Sequence, residues 1–249
     1  MLETIKEKLR EIEERENVKI LHCVESGSRA WGFASPDSDY DVRFIYVRPR
    51  EYYLRLDKTR DVIEWQLDDT LDISGWDLQK ALRLLYKSNP TVFEWNLSPI
   101  VYKTTEEWKD VSAVINSYFN PKSGLYHYLN TARSTYKNFL CGETVKYKKY
   151  FYVLRPLLSC KWVLKEGTPP PMLFDDLKEK LLDECIRPDV EKLLELKKSA
   201  PEIGESEPFK RLNDYLADKI SEMEHILSEM PEDRNSDWET LNSIFLKLT

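Results

Sequence analysis

The order of hydrophobic patterns predicts an α+β fold: a mixed sheet flanked by helices, followed by an all-helical C-terminal region. Three observations carry this. Runs of β-branched and aromatic residues with strand period are confined to the first part of the chain. Apolar stripes with helical period fill the rest. Only 7 of the 249 residues are glycine while 33% are charged, the composition of a helix-rich chain with a solvated surface.

The elements follow in order. Leu2, Ile5, Leu9 and Ile12 fall at helical spacing between Glu and Lys, predicting a helix over 2–16. "KILHCV" (19–24) and "YDVRFIYV" (40–47) read as strands. "DVIEWQL" (61–67) alternates Ile63, Trp65 and Leu67 against Glu64 and Gln66, and "TLDI" (70–73) is close enough to pair with it as a hairpin. Ser74 followed by Asp77 reads as the capped start of a helix whose stripe is Leu78, Ala81, Leu82 and Leu85, ended by "SNP". "SPIVY" (98–102) is the last strand-like run. Helices are then expected over 106–119, 125–140, 146–165, 185–198, 207–230 and 237–247, with "GTPPPM" (167–172) as a stiff connection. The boundary falls near residues 103–112, dividing the chain into 1–105 and 106–249.

Composition narrows the function classes. With 41% hydrophobic and 12% aromatic residues the chain is a folded protein. A net charge of -7 argues against general adhesion to nucleic acid through bulk charge, and so against a plain nucleic-acid-binding protein. The four cysteines, Cys23, Cys141, Cys160 and Cys185, are scattered and form no zinc-like pair. The charged opening predicts no signal peptide, and no apolar run is long enough for a membrane span, so a reducing cytoplasm is the expected compartment.

The chemistry concentrates in "ESGSRAWGFASPDSDYDVRFIYV" (25–47). Asp39 and Asp41 stand two apart at the front of a strand, so both side chains take the same face, roughly 6.5–7 Å apart at Cα. Left bare, the two anions repel, and Arg43 is the one adjacent cation. A hard divalent cation removes the repulsion, and Mg²⁺ with its preference for oxygen ligands and phosphate suits two strand carboxylates. Gly27 and Ser28 follow a strand directly. Glycine lets a phosphate approach the backbone, and the Ser28 hydroxyl and N–H groups can donate to it, with Arg29 as a charged contact. Gly27 and Gly32 have P-loop spacing, but Phe33 and Ala34 stand where that loop needs Lys and Ser or Thr, which excludes it. Asp72 is a third carboxylate on a strand interior, where Asp is disfavoured.

These residues match a family pattern. A Gly-Ser turn, about ten intervening residues and then Asp-x-Asp on a strand resembles the nucleotidyltransferase superfamily typified by DNA polymerase beta. The stretches "GSRAWGFASPDSDYDVRFIY", "LDISGWDLQKALRLLYKSNPTVFEWNLSPIVY" and "KYKKYFYVLRPLL" resemble a bacterial and phage subgroup associated with RNA repair, and cover most of residues 20–165. The resemblance implies a nucleotidyltransferase-type mixed sheet followed by a helical domain. It implies an enzyme that moves NMP from an NTP such as ATP to an acceptor hydroxyl, an RNA end, with release of pyrophosphate. Two Mg²⁺ ions, with Mn²⁺ as the alternative, would be held by Asp39, Asp41 and Asp72. Gly27, Ser28, Arg29 and Ser38 would hold the triphosphate. Glu64 and Asp77 compete with Asp72 for the third carboxylate. A protein hydroxyl or a small molecule is an alternative acceptor, and a catalytically silent, antitoxin-like binding module is the alternative function.

A second feature lies in the helical half. Residues 133–165 hold Arg133, Lys137, Lys146, Lys148, Lys149, Arg155, Lys161 and Lys165 against Glu143 alone. Lys148, Tyr152 and Arg155 share one helix face, which suits a triphosphate and a stacked base, so Lys148, Lys149, Tyr152 and Arg155 are expected nucleotide contacts. A solvated face is the competing reading. Pro156 is expected to kink that helix. His127 reads as structural, and the seven tryptophans, including Trp65, Trp76, Trp95 and Trp162, as core.

Overall fold

The computed structural model describes residues 1–36, 38–66, 70–199, 207–231 and 237–249. In chain order the elements are α1 (Leu2–Glu16), β1 (Lys19–Glu25), the single turn α2 (Gly27–Ala30), β2 (Tyr40–Val47), α3 (Arg50–Tyr53), β3 (Val62–Gln66), β4 (Leu71–Asp77), α4 (Leu78–Tyr86), α5 (Pro90–Asn96) and β5 (Val101–Thr104). There follow α6 (Trp108–Ile115), α7 (Pro121–Phe139), α8 (Lys148–Glu166), α9 (Phe174–Leu181), α10 (Arg187–Ser199), α11 (Lys210–Glu229) and α12 (Glu239–Leu248). The fold is α+β, as the hydrophobic patterns predict. Leu67 of the expected third strand lies outside the described residues.

Two compact units are present. One comprises Met1–Ala30, Asp39–Tyr118 and Asn235–Thr249; the other comprises Trp31–Ser38 and Phe119–Arg234. The chain therefore passes between the units at 30/31, 38/39, 118/119 and 234/235.

The first unit is built on a five-stranded mixed sheet in the order β3-β4-β2-β1-β5. β2 and β4 run parallel, and the other neighbouring pairs are antiparallel. Side chains alternate between faces along each strand. Val42, Phe44, Tyr46, Leu71 and Ile73 point to the face covered by Ile5, Leu9 and Ile12 of α1. Gly75 lies on that face, where a Cβ would sit 2.2 Å from the Phe44 ring. The opposite face carries Asp41 and Arg43 on β2 and Asp72, Ser74 and Trp76 on β4. Trp76 packs on Trp95 of α5 with ring centroids 4.2 Å apart, which covers the far end of that face.

Several local expectations are corrected. The predicted strand 70–73 runs on to Asp77, because it pairs with β2 along its whole length from Leu71 to Asp77. Ser74 is therefore a strand residue, and the N-cap of α4 is Asp77, whose carboxylate accepts from the Gln79 backbone N–H at 2.8 Å. "SNP" both ends α4 and starts α5: Asn89 caps the Thr91 N–H at 3.0 Å and Pro90 takes the first turn. Of the seven tryptophans expected in the core, Trp95 and Trp108 are buried. Trp65 lies half-buried beneath the Arg15 guanidinium, and Trp162 donates its ring N–H to Thr168 Oγ1 at 3.2 Å.

In the second unit α7 and α8 pack together, joined by α9 and α11. Leu125, Leu129, Tyr150, Phe151, Leu154, Leu158, Phe174, Leu212 and Leu216 form its core. α8 is one helix of 19 residues with Pro156 inside it. Among the described residues no helix is long and apolar enough to cross a membrane.

Candidate active site

The site grows from the two parallel strands. Asp41 and Asp72 are register partners, so they stand side by side on one face near the start of both strands, where α4 and α5 no longer cover the sheet. Their side chains are 33% and 47% exposed. Both are tied to one cation. Arg43 Nη2 donates to Asp41 Oδ1 at 2.9 Å and to Asp72 Oδ2 at 2.6 Å. Its Nη1 donates to the backbone carbonyls of Val42 and Asp72, each at 3.1 Å. Burial pushes the Asp41 carboxyl above its ordinary range; Arg43 opposes this, while Asp72 and Asp39 add to it through repulsion.

Gly27 closes one side. Its φ is +60°, the left-handed region that glycine enters at no steric cost. A Cβ there would meet Asp41 Oδ2 at 2.1 Å, so the carboxylate occupies space that any other residue would fill. Ser28 is half-buried on the α2 turn. Arg29 Nε donates to the Asp39 carbonyl at 3.0 Å, and its guanidinium lies 3.8 Å from the Tyr40 ring centroid. Asp39 itself is exposed at the mouth of β2.

Glu25 is a component that sequence reasoning missed. It is 0% exposed. One carboxylate oxygen accepts the Asp41 backbone N–H at 2.7 Å, and the other accepts the Tyr102 hydroxyl. The Ser26 N–H donates to the Asp41 carbonyl at 2.8 Å. Asp41 is thus held through its backbone on both sides of the peptide. Burial raises the Glu25 carboxyl, with the Tyr102 and Asp41 hydrogen bonds opposing and the Asp41 charge adding. The available signal was a carboxylate ending β1, two residues before Gly27.

The competitors for the third carboxylate are placed elsewhere. Asp77 is buried and caps α4, and it also accepts the Tyr53 hydroxyl at 2.9 Å. Glu64 pairs with Ser74, one strand farther from Asp41 than Asp72 is. Among the described residues no three His, Cys, Asp or Glu groups are gathered for a metal ion; Asp41 and Asp72 are gathered about Arg43.

The remaining expected contacts belong to the second unit. Ser38 Oγ accepts from the Ser35 backbone N–H at 2.9 Å. Lys148 and Lys149 are half-buried at the start of α8, and Lys149 Nζ lies 4.1 Å from the Phe139 ring centroid. Tyr152 meets Trp31 edge-on, with centroids 5.3 Å apart. Arg155 is only 2% exposed, with its guanidinium 4.7 Å from the Trp31 ring centroid and Nε donating to the Met172 carbonyl at 3.4 Å. The competing reading of a solvated helix face therefore does not hold at this residue, because α8 turns it into the packing around Trp31.

A family model described as "RlaP: RNA repair pathway DNA polymerase beta family" matches residues 1–247. The chain belongs to this family. "Uncharacterized protein YcgL" of Bacillus subtilis (strain 168) is 43% identical over 250 residues, covering 99% of this chain and 95% of that protein. A solved structure of a nucleotidyltransferase-like protein from Exiguobacterium sibiricum 255-15 is 16% identical with a TM-score of 0.31, covering 98% of this chain and 79% of that one. In this chain the Gly-Ser turn and the Asp-x-Asp strand meet through Gly27 and Asp41.

Proposed function

We propose that the chain is a Mg²⁺-dependent nucleotidyltransferase that transfers NMP from an NTP to an acceptor hydroxyl, an RNA end. The observation that carries the reading is the pairing of Asp41 with Asp72 across parallel strands, with Gly27 against Asp41. The donor pair suits a hard divalent cation: two half-exposed carboxylates, Asp41 and Asp72, already share one positive group. The acceptor hydroxyl gives up its proton to solvent as its oxygen forms a bond to the α-phosphorus, the bond from that phosphorus to the bridging oxygen breaks, and pyrophosphate leaves with the electron pair. Bound at the carboxylates, Mg²⁺ would supply neutralisation of the charge that develops on the attacking and leaving oxygens.

The chain's own residues divide the remaining work. Asp39 and Asp41 hold charge on the nucleotide side, and Asp72 on the acceptor side. Gly27 leaves its backbone open to a phosphate, and Ser28 and Arg29 donate to one. Glu25 fixes the backbone that aims Asp41. The family description supports RNA as the acceptor class.

Incubation with labelled NTPs, Mg²⁺ and RNA tests this, with Asp39→Ala as control. Label entering RNA with the wild type and lost with the variant supports the enzyme. A second reading, a silent binding module, draws on Arg43 satisfying both carboxylates without metal. Nucleotide binding without label transfer in either protein would favour it.

A further inference from the structure

Arg43 holds the candidate site with two different hands. Nη1 is bound to two backbone carbonyls, and Nη2 is bound to two carboxylates. A divalent ion competes for the carboxylates and has no call on the carbonyls that Nη1 holds. We propose that Arg43 is an exchangeable internal cation: Nη2 occupies the carboxylate pair until a metal ion takes its place, while Nη1 keeps the side chain parked at the strand edge. This rests on the metal-dependent reading above and names a regulating residue for that site.

Three features argue for it. The guanidinium bonds are charge-assisted and hence among the stronger hydrogen bonds, yet the carboxylates remain 33% and 47% exposed, so the exchange is open to solvent. Arg43 sits on the same strand two residues beyond Asp41, so it shares that face by the period of the strand and needs no backbone motion to let go. Without it, Asp41 and Asp72 would face each other bare, with Asp39 adding to the repulsion. An internal cation therefore keeps the empty site compatible with a folded sheet and makes metal entry a replacement of one positive group by another. The released Nη2 would then be free to donate to a phosphate oxygen, the anion that arrives with the metal.

The test is Mn²⁺ affinity, read from the electron paramagnetic resonance signal of free Mn²⁺, for the wild type, Arg43→Gln and Arg43→Lys. Removing the competing charge should tighten Mn²⁺ binding by about tenfold in Arg43→Gln, the scale expected for charge-assisted hydrogen bonds. Arg43→Lys keeps the charge and should stay within about threefold of the wild type. Equal or weaker binding by Arg43→Gln than by a wild type that binds overturns the exchange and leaves the metal reading standing. Absence of Mn²⁺ binding by all three, with and without NTP, overturns both. An independent readout uses wild-type protein labelled with ¹⁵N-arginine, with the Arg43 signal assigned by its loss in Arg43→Lys. Its guanidinium resonance should shift as Mg²⁺ saturates the site, and an unmoved resonance at saturation also overturns the exchange.

Discussion

Two clusters of charge sit on regular elements of this protein and meet opposite fates. On β2 and β4, Asp41, Arg43 and Asp72 stay half-exposed and bind one another. On α8, Lys149 lies over the rings of Phe139 and Tyr152, and Arg155 is buried against Trp31. A strand with one covered face leaves each side chain a choice of two directions, so spacing alone says which residues meet. A helix offers a full circle of directions, and only the packing partners say which arc is outside. Charge counts along α8 carry no information about those partners.

The largest expected effect falls on the strand cluster. Asp41→Asn should lower label transfer by about a thousandfold, about 4 kcal/mol in barrier, while thermal stability holds or rises, because burial already disfavours the Asp41 charge. A variant that unfolds in proportion to its loss of activity would break the comparison by making Asp41 structural. Arg155→Ala should show the reverse pattern, losing about 2–4 kcal/mol in denaturant unfolding through lost packing on Trp31. Calorimetry with an NTP sharpens this: unchanged affinity in the folded variant leaves Arg155 as a packing residue, and weakened affinity returns it to nucleotide contact. The smallest effect is at Gly27→Ala. Positive φ costs about 1 kcal/mol in stability, and displacement of the Asp41 carboxylate should reduce transfer by about tenfold, or about 1.4 kcal/mol. Both are measurable in one preparation.

Much of the sheet unit was legible because its signals are local. A run of β-branched and aromatic residues located β2, period-two alternation located β3, and the Gly-Ser turn with Asp39 and Asp41 marked the candidate site region. Asp72 could be singled out as a carboxylate on a strand, but the parallel register that sets it beside Asp41, with Glu64 one strand farther off, leaves no trace in a residue pattern. β4 was read too short because Ser74, Gly75 and Asp77 resemble a helix start, and strand pairing overrode that propensity. Glu25 went unread because its meaning lies in Tyr102, 77 residues away, and in a backbone N–H that leaves no trace in a residue pattern. In the helical unit the long stripes were visible. The burial of Arg155 was not, since Trp31 and Met172 come from outside its helix.

The parallel pairing of β2 with β4 also has a kinetic consequence. Arg43 and Asp72 are 29 residues apart in the chain, and parallel strands cannot be closed by a tight turn, so their joining is paid for in loop entropy before any contact rewards it. The β3–β4 hairpin can zip locally, but the carboxylate pair exists only after that hairpin docks on β2. The Asp41–Asp72 pair therefore reports completion of the sheet, and a nascent chain released before β4 has emerged would carry the Asp-x-Asp strand with no parallel neighbour for Asp41.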